Sequence, residues 1–166
     1  MRLKKYSIKH KSLIGKKIKP ICKKNNVKFL VNDDPMLAKK LNADGCHLGQ
    51  KDTSIVKTKK IIKNKIIGIT CHNSIKLAKT AIKNKATYLA FGAFFSTKTK
   101  KIKHKATTII LNKVKKLTNT PLVAIGGIND KNYKKLLLNN ANFLAISGYV
   151  WNNKKYKPID AIKRLK

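Results

Sequence analysis

Four of the six acidic residues of this 166-residue chain lie close together, in a protein whose formal net charge is +34. They fall within residues 31–52, whose sequence is VNDDPMLAKKLNADGCHLGQKD. A carboxylate after a strand can be a ligand or a helix cap. Asp34 is interpreted as a cap, because it precedes a proline at a predicted helix start. Asp44 lies in an Ala-Asp-Gly turn and is interpreted as structural. Asp33 and Asp52 are the remaining candidates for chemistry.

Histidine follows cysteine twice, at Cys46-His47 and Cys71-His72, which raises the question of a metal site. Adjacent side chains on a strand point to opposite faces, so neither pair can easily chelate one ion, and the usual zinc spacing is absent. We interpret these cysteines as core thiols. With Cys22 they make an odd number of widely spaced cysteines, and the chain opens with polar, lysine-rich sequence. We therefore expect a cytoplasmic protein with reduced thiols.

The positive charge is spread over nearly every segment and is not concentrated in a tail. So basic a chain makes nucleic acid a legitimate partner, because lysines that neutralise phosphates release counterions. The aromatic residues are scattered, however, and no zinc-finger, RNA-recognition or homeodomain signature is present, which disfavours nucleic acid. Small anionic phosphates are the favoured ligands. No apolar run approaches the roughly 18 residues that a membrane span needs, so we expect no membrane partner.

Short apolar runs alternate with amphipathic stretches along the chain. The predicted strands are 28–32, 45–48, 66–70, 88–92, 122–126 and 143–147. The predicted helices are 9–24, 34–42, 53–64, 74–84, 107–118, 130–140 and 158–166. This βα repeat predicts an α/β fold with a parallel sheet, either an open doubly wound sheet or a closed (β/α)8 TIM barrel. Because no GxGxxG follows a strand and polar residues follow several different strands, the barrel is favoured.

Five motifs at the predicted strand ends point to one family when they are taken in order. They are the acidic segment quoted above, followed by GITCHNS, FGAFFSTKTK, VAIGGI and LAIS. Together they resemble thiamine-phosphate synthase, a (β/α)8-barrel family shared with the related TenI thiazole tautomerases. The resemblance runs from Met1 to about Val150. We interpret residues 1–166 as a single domain of this kind.

The resemblance implies a transferase of thiamine biosynthesis. Its reaction joins a hydroxymethylpyrimidine diphosphate to a thiazole phosphate and releases pyrophosphate. The family uses a dissociative route, in which the diphosphate leaves first and the thiazole nitrogen captures a pyrimidine cation. A departing diphosphate needs Mg²⁺ held by hard oxygen ligands, together with several cations. Asp33 and Asp52 match the family's magnesium ligands, and they stand just past two neighbouring strands, where they can converge on one ion.

The resemblance also implies which residues contact the pyrimidine diphosphate. Arg2 and Lys4 match the end of the family's Gln-Leu-Arg-x-Lys segment, and Lys100 matches the lysine that closes its Thr-x-Thr-Lys loop. These three cations are the candidate catalytic residues, and Asn32 would hold the diphosphate with them. Thr70 stands where the family commonly places a serine near the pyrimidine.

The later motifs supply the remaining substrate contacts. Thr97 and Thr99 carry hydroxyls on the loop where the family binds the substrate phosphates. Gly127, Ile146 and Ser147 match its contacts to the thiazole phosphate. They lie in the region where barrels commonly build a phosphate site from backbone amides. A glycine there lets the backbone approach the anion closely.

The chain departs from the family pattern at its start. It holds six complete predicted strands, with Met1 to Lys4 as the stub of a seventh, and cannot close an eight-stranded barrel alone. We expect an N-terminally incomplete barrel with impaired activity, which self-association or a partner chain would complete. His72 supports the main rival interpretation, because a histidine of this segment does acid–base work in the TenI tautomerases. A non-catalytic phosphate-binding remnant and a nucleic-acid-binding protein are two further hypotheses.

Overall fold

The computed structural model describes residues 1–97 and 103–165, and the chain divides into two compact units. The first unit contains residues 1–70 and 84–87. The second contains residues 71–83 and the chain from Tyr88 onwards. In each unit helices alternate with strands that pair in parallel, which confirms the predicted α/β class.

Six elements make up the first unit, and the last of them continues into the second. They are α1 (Ile8–Lys24), β1 (Leu30–Asn32), α2 (Pro35–Lys40), β2 (Gly45–Leu48), α3 (Ile55–Ile62) and β3 (Ile66–His72). Strand β2 pairs in parallel with β1 and with β3. The register places the buried Cys46 between Val31 and Ile67, which are also buried. Burial of apolar side chains at these positions supplies the driving force that holds the strands together.

The predicted strand stub at the start of the chain lies against the outer side of β1. The amino group of Met1 donates a hydrogen bond to the carbonyl of Leu30. The carbonyl of Met1 accepts one from the amide of Asn32 at 2.9 Å. Donation to one residue and acceptance from the residue two further on is the pattern of a parallel pair, so Met1 extends the pairing of β1.

The second unit contains eight elements after the end of β3. They are α4 (Ile75–Lys83), β4 (Tyr88–Phe91), α5 (Thr108–Lys115), β5 (Leu122–Ile125), α6 (Tyr133–Leu137), β6 (Phe143–Ala145), α7 (Gly148–Trp151) and α8 (Pro158–Lys163). Strand β5 pairs in parallel with β4 and β6. Leu89, Leu111, Leu122 and Leu136 are fully buried and form the core of this unit. Strand β6 differs from the others, because Phe143 is 61% exposed.

Polar caps fix the starts of the helices in the first unit. The Ser7 hydroxyl accepts a hydrogen bond from the amide of His10 at 3.2 Å, so α1 begins at Ile8. The Asp34 carboxylate accepts one from the amide of Leu37 at 2.9 Å and begins α2. Each cap satisfies a backbone donor that has no partner within the helix. The predicted capping role of Asp34 is therefore confirmed.

The predicted elements are all present, and the differences lie at their ends. Strand bounds agree within two residues and helix bounds within three. The predicted start of α6 at residue 130 was wrong, because the side chains of Asn129 and Asn132 bond to nearby backbone and form a turn first. The short helix α7 was not predicted, since one turn is too short to show a period. In the part of the chain that is described, no helix has the length and apolar character needed to cross a membrane.

Candidate active site

Asn32 and Asp33 lie where β1 ends, and hydrogen bonds fix both of them. The amide of Asp33 donates to the carbonyl of His47 on β2 at 2.8 Å. Its φ of 68° lies in the left-handed region, which side chains other than glycine rarely adopt. The side-chain amide of Asn32 donates to Asp33 Oδ1 at 2.7 Å. Strain of this kind is concentrated at functional sites.

Lys4 is the cation that faces this carboxylate. Its Nζ lies 3.3 Å from Asp33 Oδ2. Burial raises the pKa of Asp33, but the hydrogen bond from Asn32 and the charge of Lys4 outweigh it, so the pKa is below its ordinary value. The carboxylate is therefore ionised at neutral pH and available to a cation.

A small cavity of about 60 Å³ lies beside these groups. Arg2, Lys4, Asn32 and Asp33 all line it. The structure thus brings together four of the residues that the sequence predicted for the diphosphate and the metal. Two cations and one amide donor beside a small cavity can bind phosphate oxygens.

Asp52 follows β2 and approaches Asp33. Its Oδ2 accepts a hydrogen bond from the amide of Gly49 at 2.6 Å, which holds the side chain over the end of the strand. Asp52 is near enough to Asp33 to affect its pKa, and it acts in the direction that lowers it. Two carboxylates this close repel each other unless a proton or a cation lies between them.

This donor set fits magnesium. Mg²⁺ prefers oxygen ligands and is commonly bound by one or two carboxylates that leave positions for water and substrate phosphates. Asp33 and Asp52 provide that number of carboxylates. Within residues 1–97 and 103–165 no group of three or more His, Cys, Asp or Glu side chains could hold a metal ion.

Thr70 lies near the end of β3, and two residues of the β2 segment contact it. Its hydroxyl is hydrogen bonded to His47 Nε2 at 2.8 Å. Its carbonyl accepts a hydrogen bond from the side-chain amide of Gln50. Burial lowers the pKa of His47, although the carboxylates of Asp33 and Asp52 act in the opposite direction. The imidazole is therefore neutral at pH 7.

His47 is the residue of this site that sequence reasoning missed. The Cys46-His47 pair was considered only as a metal motif and was dismissed as one. The same alternation that places Cys46 in the core places His47 on the opposite face of β2, where polar groups collect. That alternation was the available signal.

The other two acids of the cluster have structural roles, as predicted. Asp34 caps α2 through the amide of Leu37. Asp44 Oδ2 accepts a hydrogen bond from the amide of Phe29 at 2.8 Å, and its Oδ1 lies 3.8 Å from Lys28 Nζ. These bonds tie the turn before β2 to the start of β1.

In the second unit, two glycines follow β5. Gly126 and Gly127 have φ values of 97° and 65°. A side chain at Gly127 would place its Cβ 2.3 Å from the carbonyl oxygen of Ser96. The loop after β4 is tied to the same place, because the amide of Phe95 donates to the carbonyl of Gly126 at 3.1 Å. Glycine is required here for the close approach of two backbone segments.

Ile146 and Ser147 follow β6 at the level of the two glycines. Ile125 is paired with Ala145, so Gly127 and Ser147 each lie two residues beyond the last registered pair. Gly127, Ile146 and Ser147 therefore lie at adjacent strand ends, and their contact with a phosphate stays a prediction. Ser147 is exposed. Thr97 is described and half-buried, whereas Thr99 and Lys100 lie outside the described residues.

The ring of His72 lies against that of His104, with centroids 4.3 Å apart and planes tilted by 36°. The buried thiols of Cys46 and Cys71 have pKa values raised to about 12 by burial, so both are protonated. Protonated buried thiols are core groups rather than ligands, which confirms the sequence interpretation.

Comparison with known proteins shows extensive similarity. The family model for thiamine monophosphate synthase matches residues 1–150. A thiamine-phosphate synthase of Pelagibacter ubique is 68% identical over 166 residues, which cover all of this chain and 80% of that protein. Another, from Rhodospirillum centenum, is 40% identical over 137 residues, which cover 82% of this chain and 66% of that protein.

Solved structures agree with this similarity. A thiamine phosphate pyrophosphorylase from Pyrococcus furiosus matches with a TM-score of 0.90 and 29% identity, over 99% of this chain and 78% of that one. A 3-hexulose-6-phosphate synthase from Salmonella typhimurium matches with a TM-score of 0.66 and 16% identity, over 89% of this chain and 76% of that one. The second match bears on the fold alone.

Proposed function

We propose that this chain, which belongs to the thiamine monophosphate synthase family, couples a hydroxymethylpyrimidine diphosphate to a thiazole phosphate and releases pyrophosphate. Family membership confirms the resemblance found in its motifs and makes it a transferase of thiamine biosynthesis. The observation that carries the proposal is the convergence of Asp33 and Asp52 beside Lys4, in a chain 68% identical over its whole length to a thiamine-phosphate synthase.

We assign the metal role to Asp33 and Asp52. When bound there, Mg²⁺ would neutralise negative charge on the departing diphosphate. The two carboxyls support this assignment, because they stand at neighbouring strand ends and Asp52 is near enough to Asp33 to affect its pKa. A cation between them would relieve their repulsion.

The groups around the small cavity would bind and orient the diphosphate. Arg2 and Lys4 would pair with its oxygens, and the Asn32 amide would donate to one of them. Lys100 has the same role by its position in the family motif. Because the diphosphate leaves before the thiazole attacks, the protein needs no nucleophile, and these residues act by stabilising charge as it develops.

We assign the thiazole phosphate to the strand ends of the second unit. Gly127, Ile146 and Ser147 would contact it, with Thr97 and Thr99 supplying hydroxyls to the substrate phosphates. The adjacency of Gly127 and Ser147 beyond the β5–β6 register supports this assignment. Backbone amides at such strand ends commonly bind phosphate in parallel α/β folds.

Three further proposals concern the closure of the barrel, the substrates that the protein binds and its location in the cell. We propose that the strands belong to a (β/α)8 barrel that further strands complete at β6, either from another segment or from a second chain. The exposure of Phe143 supports this, since parallel strands are normally buried on both faces. Small phosphorylated molecules are the proposed substrates, and free buried thiols support a reducing, cytoplasmic location.

The test is a pyrophosphate-release assay with each substrate alone and with both. We expect pyrophosphate and thiamine phosphate only when both substrates and Mg²⁺ are present, and loss of both products when the metal is chelated. Isomerisation of a thiazole phosphate without metal would instead support the tautomerase interpretation. Absence of coupling in a purified, cooperatively folding protein would contradict the proposal.

A further inference from the structure

We propose that His47 is a positioning residue of this site, which acts through the Thr70 hydroxyl to orient its hydrogen bond with the pyrimidine substrate. The inference rests on the proposed function and adds a residue to it. The direct observation is the 2.8 Å hydrogen bond between His47 Nε2 and Thr70 Oγ1. His47 itself need not touch the substrate.

The register of β2 and β3 explains how the two side chains meet. His47 is paired with Gly68, and Thr70 lies two residues further along β3, on the same face. Because Gly68 has no side chain, none stands directly opposite His47 in the register. The imidazole can therefore lean along β3 to Thr70 instead of packing against its own partner residue.

A hydroxyl with one fixed partner has a defined direction for its next hydrogen bond. A threonine hydroxyl has one proton to donate and two lone pairs, and it rotates freely when nothing holds it. The imidazole Nε2 either donates to the Thr70 oxygen or accepts its proton. In either case the bond to His47 uses one hydrogen-bonding position of the Thr70 hydroxyl, and the remaining positions of that hydroxyl then have fixed directions.

The backbone of Thr70 is held by the same segment. Gln50 donates from its side-chain amide to the Thr70 carbonyl, and Asp52 follows two residues later. The segment that runs from His47 to Asp52 thus carries a proposed metal ligand, and it also makes hydrogen bonds to the hydroxyl and to the carbonyl of Thr70. This arrangement would fix the position of the pyrimidine contact relative to the diphosphate site, because one segment holds both.

A purely structural role for the bond is not required by the fold. Strands β2 and β3 are already joined by four registered residue pairs. The buried side chains of Cys46, Leu48 and Ile67 secure the packing on these strands. Removal of the His47–Thr70 bond should therefore affect binding before it affects folding.

The experiment measures KM for each substrate separately in four variants. Gln places an amide nitrogen where His has Nε2, whereas Asn reaches only as far as Nδ1. We expect His47→Asn to raise KM for the pyrimidine diphosphate about three- to tenfold, the effect of losing one neutral hydrogen bond, with KM for the thiazole phosphate unchanged. His47→Gln should restore KM to within about twofold of the wild type, since it can remake that bond. Thr70→Val should also raise KM, and the double variant His47→Asn, Thr70→Val should be no worse than Thr70→Val alone.

A matched control is His10→Asn, an identical change at an exposed position of α1, which should leave both KM values unchanged. Additive effects in the double variant, equal rises in both KM values, or no effect of His47→Asn would overturn the proposal. Thermal unfolding of each variant separates a folding defect from a binding defect. A wild-type protein without coupling activity would refute the proposed function itself, which is a different outcome from an active wild type with unaffected variants.

Discussion

The strand ends of the two units use different parts of the chain for their chemistry. In the first unit the candidate groups are side chains, with the carboxyls of Asp33 and Asp52 held by hydrogen bonds from Asn32 and Gly49. In the second unit the distinctive residues are Gly126 and Gly127, which have no side chains and positive φ values. One set offers charged side chains, and the other offers backbone that no side chain covers.

The difference matches the ligands that each set would take. A metal ion and a departing diphosphate require charged side chains, because backbone groups carry only partial charges. A phosphate that must be held but not activated can be bound by backbone amides. The two sets should therefore fail in different ways, the first when a side chain loses its charge and the second when a side chain is added.

The largest effect is expected at the carboxyl pair. Asp33→Asn and Asp52→Asn should each lower the coupling rate by orders of magnitude, because an amide cannot replace a carboxylate that holds a divalent cation. The free energy of unfolding should change little, since both side chains lie at strand ends outside the core. The coupling rate measured over a range of Mg²⁺ concentrations should show a higher metal requirement.

Asp160→Asn is the control for this change, because it removes one negative charge from an exposed position on α8. It should leave the rate and the metal requirement unchanged. Near-normal rates in both Asp33→Asn and Asp52→Asn would show that the metal assignment is wrong.

An intermediate effect is expected when a side chain is added in the second unit. Gly127→Ala puts a Cβ 2.3 Å from the Ser96 carbonyl and places alanine at a φ of 65°. The loop must move, at a cost on the order of 1–3 kcal/mol of stability. We expect KM for the thiazole phosphate to rise at least about tenfold, which corresponds to about 1.4 kcal/mol.

Gly127→Asn separates the two causes of that effect, since asparagine tolerates positive φ but still carries the Cβ. If the close approach matters, the asparagine variant should be impaired as much as the alanine variant. An unchanged KM for the thiazole phosphate in both variants would remove Gly127 from the proposed phosphate site.

The smallest effect on the coupling rate is expected at Asp34, although it is the next residue after Asp33. Asp34→Ala removes the cap of α2 and should lower the free energy of unfolding by about 1 kcal/mol, the usual value of such a cap. The coupling rate under saturating substrates should stay close to that of the wild type. Chemical denaturation and initial-rate measurements on the same preparation test this pair of outcomes. A large loss of rate with unchanged stability would mean that Asp34, and not only its neighbour, serves the site.

Local sequence was enough to predict the fold class, whereas the resemblance to a family supplied most of the candidate site residues, whose roles stay predictions. Within residues 1–97 and 103–165, apolar runs and helical periods identified every strand and all helices except α7, because each of these signals is contained within a few residues. The motifs placed Asp33 and Asp52 at neighbouring strand ends, and the structure brings them together. The structural roles of Asp34 and Asp44 also followed from local turn and cap chemistry.

Other features depend on contacts between distant residues, and only the tertiary structure decided them. The positive φ of Asp33 is maintained by a hydrogen bond to β2, which no local pattern encodes. The clash that requires glycine at position 127 involves the loop after β4, which precedes α5 and β5 in the chain. Whether His47 reaches Thr70 depends on the register of two strands, which pairs His47 with a residue that has no side chain, Gly68. A sequence period tells which face a side chain occupies, but it does not fix the pairing register, and that register determines which side chains meet.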